Sequence, residues 1–299
     1  MKRRDFIKLT ALTAVAISAS GFISFNGKQY VGCCETTTDI LGPFYRPGAP
    51  IRTNIIPAGS KGDVMNLYGT IFQKNGKTPL GNTLIEVWQC DQNEHYDNTS
   101  DDYLFRGAVK TSKDGKYSFK TIVPVPYRDE DGWRPAHIHF RISSADHQDL
   151  ITQIYFEGDP HIAEDTAAAS PQSVHRILEI KKNSSNENAV KFDVVMGKSF
   201  PLDATVYRKI TGLYKLNSGM AEFYHQDDLL FLKLNGQIME GLVYKGDNSF
   251  EGGMAFNKVK FELLSNGDVK AKITMWDSWS ADNKYLRTYD GIKVIKYKY

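Results

Sequence analysis

The sequence predicts an all-β chain: an antiparallel β-sandwich followed by a smaller all-β meander or barrel. Three observations carry this. Apolar and polar residues alternate over short runs, as in Tyr117-Ser118-Phe119-Lys120-Thr121-Ile122. Asn-Gly and Asp-Gly pairs punctuate those runs at Asn75-Gly76, Asp114-Gly115, Asn235-Gly236 and Asn266-Gly267. Helical spacing is scarce throughout.

Residues 1–32 read as an export signal and linker. Lys2-Arg3-Arg4-Asp5-Phe6-Ile7-Lys8 sets paired arginines before an apolar, small-residue stretch from Leu9 to Phe25, the pattern of a twin-arginine leader. The expected location is therefore periplasmic or cell-envelope. Thr10, Thr13, Ser18, Ser20 and Gly21 interrupt the stretch, so no stable membrane span is expected. Cys33, after Tyr30-Val31-Gly32, loosely matches a lipoprotein box, and a lipid anchor there stays open. Three cysteines (Cys33, Cys34, Cys90) make no disulfide framework. A Cys34–Cys90 bridge is one reading, and Cys90 as a small buried hydrophobe is the other.

The first globular unit is expected over residues 35–200. An irregular Thr-, Gly- and Pro-rich arm (35–62) contains Gly42-Pro43-Phe44-Tyr45-Arg46-Pro47. Strands follow over 65–72, 84–88, 108–111, 117–122, 137–143 and 151–156, with closing strands at 177–180 and 190–196. A short helix is expected at 165–169, ended by Pro171. Residues 198–209 read as a junction. The second unit, 208–299, holds further short strands separated by Asn235-Gly236, Lys245-Gly246-Asp247, Asn266-Gly267 and Asp290-Gly291.

At 299 residues, 41% hydrophobic and 12% aromatic, the chain can bury a sizeable core. The formal charge is +2, but residues 1–24 alone carry a net +3, leaving about −1 for the rest. That balance gives nucleic-acid binding no electrostatic support.

The chemistry concentrates in Trp133-Arg134-Pro135-Ala136-His137-Ile138-His139-Phe140. Side chains alternate along a strand, so His137 and His139 share a face and can reach one cation. Arg134 lies beside them. Tyr127 follows the rigid Val123-Pro124-Val125-Pro126, and Tyr96 follows the strand ending at Trp88. A free tyrosine ionises only near pH ~10, so it ligates as a phenolate only where a strong Lewis acid holds the anion. Ferric iron does this better than zinc or magnesium, and the expected metal is Fe(III). Taken singly, each residue also reads as packing; the combination is what carries the reading.

These residues bring a resemblance into view. Residues 42–200 resemble the intradiol ring-cleavage dioxygenases, of protocatechuate 3,4-dioxygenase and catechol 1,2-dioxygenase type. The resemblance runs through Gly42-Pro43-Phe44-Tyr45, Leu67-Tyr68-Gly69-Thr70-Ile71, Ile85-Glu86-Val87-Trp88-Gln89, Phe105-Arg106-Gly107, Asp114-Gly115-Lys116-Tyr117-Ser118-Phe119, Arg134-Pro135-Ala136-His137-Ile138-His139-Phe140 and Thr152-Gln153-Ile154-Tyr155-Phe156. It implies a β-sandwich with Fe(III) held by Tyr96, Tyr127, His137 and His139. Tyr127 would be the axial phenolate that leaves when substrate binds. Arg134 would stabilise charge on the substrate, and Gln153 would stand near it. Catechol and O2 would be the substrates and a muconate-type dicarboxylate the product.

The chain departs from the pattern in several places. Glu94-His95 precedes Tyr96, and the short acidic loop Arg128-Asp129-Glu130-Asp131-Gly132 would border the pocket. The arm is too short for a helical dimerisation domain, which suggests a protocatechuate-type core; a homo-oligomer is left open. The C-terminal unit weakly resembles small β-domains appended to exported hydrolases. Two other readings remain: a non-catalytic β-sandwich binding protein with a vestigial site, and a zinc or ferrous enzyme pairing the histidines with a carboxylate.

Overall fold

The computed structural model describes residues 23–25, 30–32, 35–129, 132–199, 202–226, 229–253, 257–276 and 286–296. The paired arginines Arg3 and Arg4, Cys33, Cys34 and the Cys34–Cys90 pairing lie outside them, as do Glu130 and Asp131. Ile23–Phe25 pairs with Tyr30–Gly32. Among the described residues no helix is long and apolar enough to cross a membrane.

The first unit is a two-sheet sandwich. Its strands are β1 (Val64–Phe72), β2 (Leu84–Trp88), β3 (Arg106–Lys110), β4 (Lys116–Ile122), a small hairpin of β5 (Tyr127–Asp129) and β6 (Gly132–Arg134), β7 (His137–Ser143), β8 (Leu150–Phe156), β9 (Ile177–Leu178), β10 (Lys181–Lys182), β11 (Asn188–Lys191) and β12 (Val194–Val195). One sheet has the order β9-β8-β7-β2-β3. The other is built on β1, with β4 on one edge and β11 and β12 on the other. The expected antiparallel pattern holds for the long strands, but β8–β9, β1–β11 and β1–β12 pair in parallel. These are strands reached by longer crossovers, which permit parallel pairing where a tight hairpin does not.

Alternation along the strands sets up the site. On β7, Ile138, Phe140 and Ile142 face the sandwich core; on β2, Ile85 and Val87 do; on β8, Leu150, Ile154 and Phe156 do. The intervening residues lie on the opposite face of the same sheet. Register then lines them up in rows across β8, β7 and β2: Tyr155 beside His137, Gln153 beside His139 beside Trp88, and Ile151 beside Arg141 beside Glu86. All of these are buried, because the arm, the β5–β6 hairpin and the C-terminal unit cover this face too.

Two expectations about helices are corrected. Residues 165–169 form turns, and the only regular element there is a 3-10 turn, Pro171–Ser173, that Pro171 begins rather than follows a helix it ends. Proline suits that first position because its missing N–H would have no partner there, and the Ser170 hydroxyl accepts from the Gln172 N–H. The junction 198–209 contains a helix, α1 (Ala204–Ile210), capped by the Asp203 carboxylate at Thr205 N (2.7 Å) with Arg208 and Lys209 in its last turn. Two helical turns are too short to show a period. Ile210, with Leu202, Val206 and Tyr207, packs onto the core of the second unit.

That unit is a closed eight-stranded antiparallel barrel, β13 to β20 in sequence order: Gly212–Leu216, Met220–Gln226, Leu229–Leu234, Gln237–Gly246, Ser249–Gly252, Asn257–Leu263, Val269–Trp276 and Leu286–Lys296. Its interior is filled by side chains including Tyr214, Phe223, Leu230, Leu232, Phe250 and Phe261. Asp290-Gly291, expected as a turn, lies inside β20 and pairs with strands on both sides. Gly291 is there for close approach: a Cβ would sit 2.7 Å from Leu216 Cδ2.

Glu240 on β16 is fully buried, accepting from Asn257 Nδ2 at 2.6 Å. Burial pushes its carboxyl up to about 7. The folded state therefore holds a proton that the unfolded chain releases, so this group stabilises the barrel below its unfolded value and the benefit is lost as pH rises through 7. Glu240→Gln should raise the melting temperature at pH 8 and flatten its fall between pH 4.5 and 7, read by thermal unfolding across that range. The difference expected at pH 8 is on the order of a few kcal/mol.

Candidate metal centre

The structure brings together the four side chains expected to share a cation. His137 and His139 stand next but one on β7, with their Nε2 atoms 3.2 Å apart. Tyr96 Oη lies 3.1 Å from His137 Nε2. The Tyr127 ring sits edge-on to Tyr96 at 5.7 Å and tilted against His137 at 5.5 Å, and the two phenol hydroxyls interact directly. Tyr127 opens β5, directly opposite Arg134 on β6. Arg128 and Asp129 of the acidic segment belong to β5, and Gly132 begins β6.

The local chemistry suits a cation. His137 donates from Nδ1 to the Pro135 carbonyl (2.6 Å), which turns its Nε2 lone pair inward. Burial, reinforced by Arg134, lowers His137 to about 3; burial, His137 and Arg134 hold His139 well below the usual imidazole range. Both rings are neutral bases at ordinary pH. Burial pushes Tyr127 up to about 12, and burial with the neighbouring Tyr127 raises Tyr96 well above an ordinary phenol. A phenolate at either position thus needs a strong positive charge at the point where the four groups meet. Among the described residues, no group of three or more His, Cys, Asp and Glu side chains converges. The donors beside the histidines are phenols, as Fe(III) prefers.

Arg134 is held by Gln153 and by Asp165, which the sequence did not single out. Its Nε donates to Asp165 (2.5 Å) and its Nη2 to Gln153 Oε1 (3.2 Å). Burial opposes its charge, but Asp165 and Tyr155 more than offset this, and the guanidinium stays charged. Gln153, expected near substrate, is committed to the protein: Nε2 donates to the Ile40 carbonyl (2.8 Å), and Oε1 accepts from Arg134 and Tyr155. Behind it, Asp39 takes Tyr155 Oη (2.9 Å) and pairs with the buried Arg176. Gln153 thus bridges Arg134 and the arm. Cys90 is buried with Sγ 3.5 Å from the Val125 carbonyl, and burial pushes its thiol up to about 11, so it stays protonated.

Residues 40–198, more than half of the chain, match the family model described as Dioxygenase. The chain belongs to the intradiol ring-cleavage dioxygenase family. It is 37% identical over 158 residues to a chlorocatechol 1,2-dioxygenase of Rhodococcus opacus, covering 45% of this chain and 61% of that protein. It is 34% identical over 155 residues to catechol 1,2-dioxygenase 2 of Acinetobacter lwoffii, covering 45% and 56%. The matched part spans less than two-thirds of these relatives. Among solved structures, the catechol 1,2-dioxygenase of Pseudomonas arvilla C-1 superposes with a TM-score of 0.51 at 28% identity, covering 57% of this chain and 64% of that one. The protocatechuate-type core was inferred from the short arm alone; these relatives are of catechol type. The family match ends before α1 and the barrel.

The chain also holds His139 against bare backbone. Gly42 has φ +72°, and a Cβ on it would stand 3.1 Å from His139 Cε1. Gly42→Ala should weaken metal affinity about tenfold, the usual scale for displacing a ligand's support. Metal stoichiometry after dialysis against a weak chelator would measure this.

Proposed function

We propose that the protein is an exported Fe(III) intradiol dioxygenase that opens a catechol-type ring with O2 to a muconate-type dicarboxylate. The observation that carries the reading is the meeting of Tyr96, His137 and His139 nitrogen and oxygen atoms beside Tyr127, with Arg134 across the hairpin. Bound ferric iron would supply Lewis acidity toward the two catechol oxygens and the electron transfer that O2 chemistry requires. The chain supplies the rest. His137 and His139 present neutral Nε2 donors, and Tyr96 presents its oxygen from a half-buried position where it stays. Tyr127 Oη would accept the proton of a catechol hydroxyl. Arg134, held by Asp165 and Gln153, offers a fixed positive charge to the ring carbon that gains electron density. Both atoms of O2 end in the product, so catechol and O2 balance one dicarboxylic acid without a further reductant.

Export rests on the twin-arginine pattern at Arg3-Arg4, whose pathway carries folded proteins and so suits a metal loaded before translocation. The test of the catalytic reading is oxygen consumption by the iron-loaded protein against a panel of catechols, with the ring-opened product identified by mass. A reddish-brown protein that consumes O2 and yields the dicarboxylate supports it. A colourless protein that consumes none sinks it.

A further inference from the structure

The barrel buries more than its own core. Along β15, Leu230 and Leu232 fill the barrel, while Leu229 and Phe231 point the other way and are equally buried, at 0% and 1% exposure. Val243 on β16 joins them. These outward side chains form one apolar cluster with Leu41 and Tyr45 of the arm, Trp88 of β2 and Ile151 of β8. Gly241 lets the walls meet closely: a Cβ there would stand 2.7 Å from Ile151 Cδ1.

From Phe231 a run of rings leads to the metal centre. Phe231 stacks on Tyr45 (5.8 Å, 8°), Tyr45 leans on Trp88 (5.0 Å, 56°), and Trp88 stacks flat on the His139 imidazole (4.9 Å, 4°). Tyr45 Oη also accepts from Arg141 Nη1 at 2.8 Å. The two histidines differ in what fixes them. His137 is oriented by its hydrogen bond to the Pro135 carbonyl. His139 Nδ1 is buried with no hydrogen-bond partner, so ring packing, with Gly42 close to Cε1, must set its plane. A metal-bound histidine ordinarily has its second nitrogen held; here stacking takes that role.

We infer that the C-terminal barrel positions the metal centre, with Phe231 acting through Tyr45 and Trp88 to fix the plane of the His139 imidazole. Phe231 is a positioning residue on a unit outside the family match. The inference rests on the proposed ferric site, and its test reads metal binding without catechol.

Phe231→Ala and Leu230→Ala are compared in the full chain. Each is loaded with Fe(III) and titrated with a competing chelator, and the phenolate-to-iron visible band is recorded. Phe231→Ala should lose about tenfold or more in iron affinity and shift the band, although both tyrosines remain. Leu230→Ala, which empties the barrel from the opposite face of the same strand, should keep wild-type affinity and colour. Wild-type affinity and colour in Phe231→Ala would overturn the inference, as would an equal loss in Leu230→Ala. If Phe231→Ala does not accumulate as folded protein, Phe231→Leu, which keeps apolar bulk but lacks the ring face, carries the same outcomes. A wild-type chain that never develops the band sinks the ferric reading and this inference together. A coloured wild type with an unaffected Phe231→Ala sinks this inference alone.

Discussion

Tyr127→Phe should fold and bind iron but lose about 10²–10⁴ of its turnover, the range contributed by a positioned general base. Phenylalanine keeps the ring packed against Tyr96 and His137 and removes only the oxygen. That oxygen has two tasks. Facing a strong cation it is an anion; displaced from it, it becomes a strong base, because burial has pushed this phenol up to about 12. A catechol proton therefore moves readily to Tyr127 Oη. Without it, the proton has to leave to water through a buried site. The visible band should weaken and shift, since one of two phenolate donors is gone, while circular dichroism stays unchanged. Stopped-flow oxygen consumption by the iron-loaded variant measures the loss. Full activity in Tyr127→Phe would remove this residue from the chemistry.

What could be read from the sequence was local. Period-two alternation puts His137 and His139 on one face wherever that strand lies in the fold, and the structure keeps them there. Tyr96 and Tyr127, which read singly as packing, joined the histidines only through their combination and the family resemblance that it brought into view. Missing from the sequence was anything set by tertiary closure. Asp165 meets Arg134 across 31 residues, and Asp39 meets Arg176 across 137; no spacing signals either pair. Asp290-Gly291 looked like a turn because Asp-Gly usually is one, yet its glycine answers to the Leu216 side chain on the neighbouring strand β13. The run Leu229-Leu230-Phe231-Leu232 did carry a signal, since a strand apolar on both faces must be covered on both. It announced a partner without naming the arm and Trp88 as that partner.

Asp165→Asn should cost both stability and turnover, and the split between them tells what Asp165 does. The substitution is nearly isosteric and keeps an oxygen for the Ala168 N–H, which Asp165 Oδ1 now accepts at 2.6 Å. It removes the charge facing Arg134 Nε, with side-chain exposures of 11% for Arg134 and 5% for Asp165. Stranding a buried guanidinium costs about 3–5 kcal/mol, so the melting temperature should fall by several degrees. The arginine then has reason to turn toward water, leaving Gln153 alone to hold it. If Asp165 positions Arg134 for the reaction, kcat should drop by about ten- to a hundredfold, since the charge Arg134 stabilises develops only on the way to the transition state, while KM and the visible band of the iron-loaded protein change little. If Asp165 is only a strut, the melting temperature falls and kcat, measured well below it, stays at the wild-type value. Asp165→Glu separates the two further: the longer carboxylate restores the charge without the geometry, so stability should recover more than turnover does.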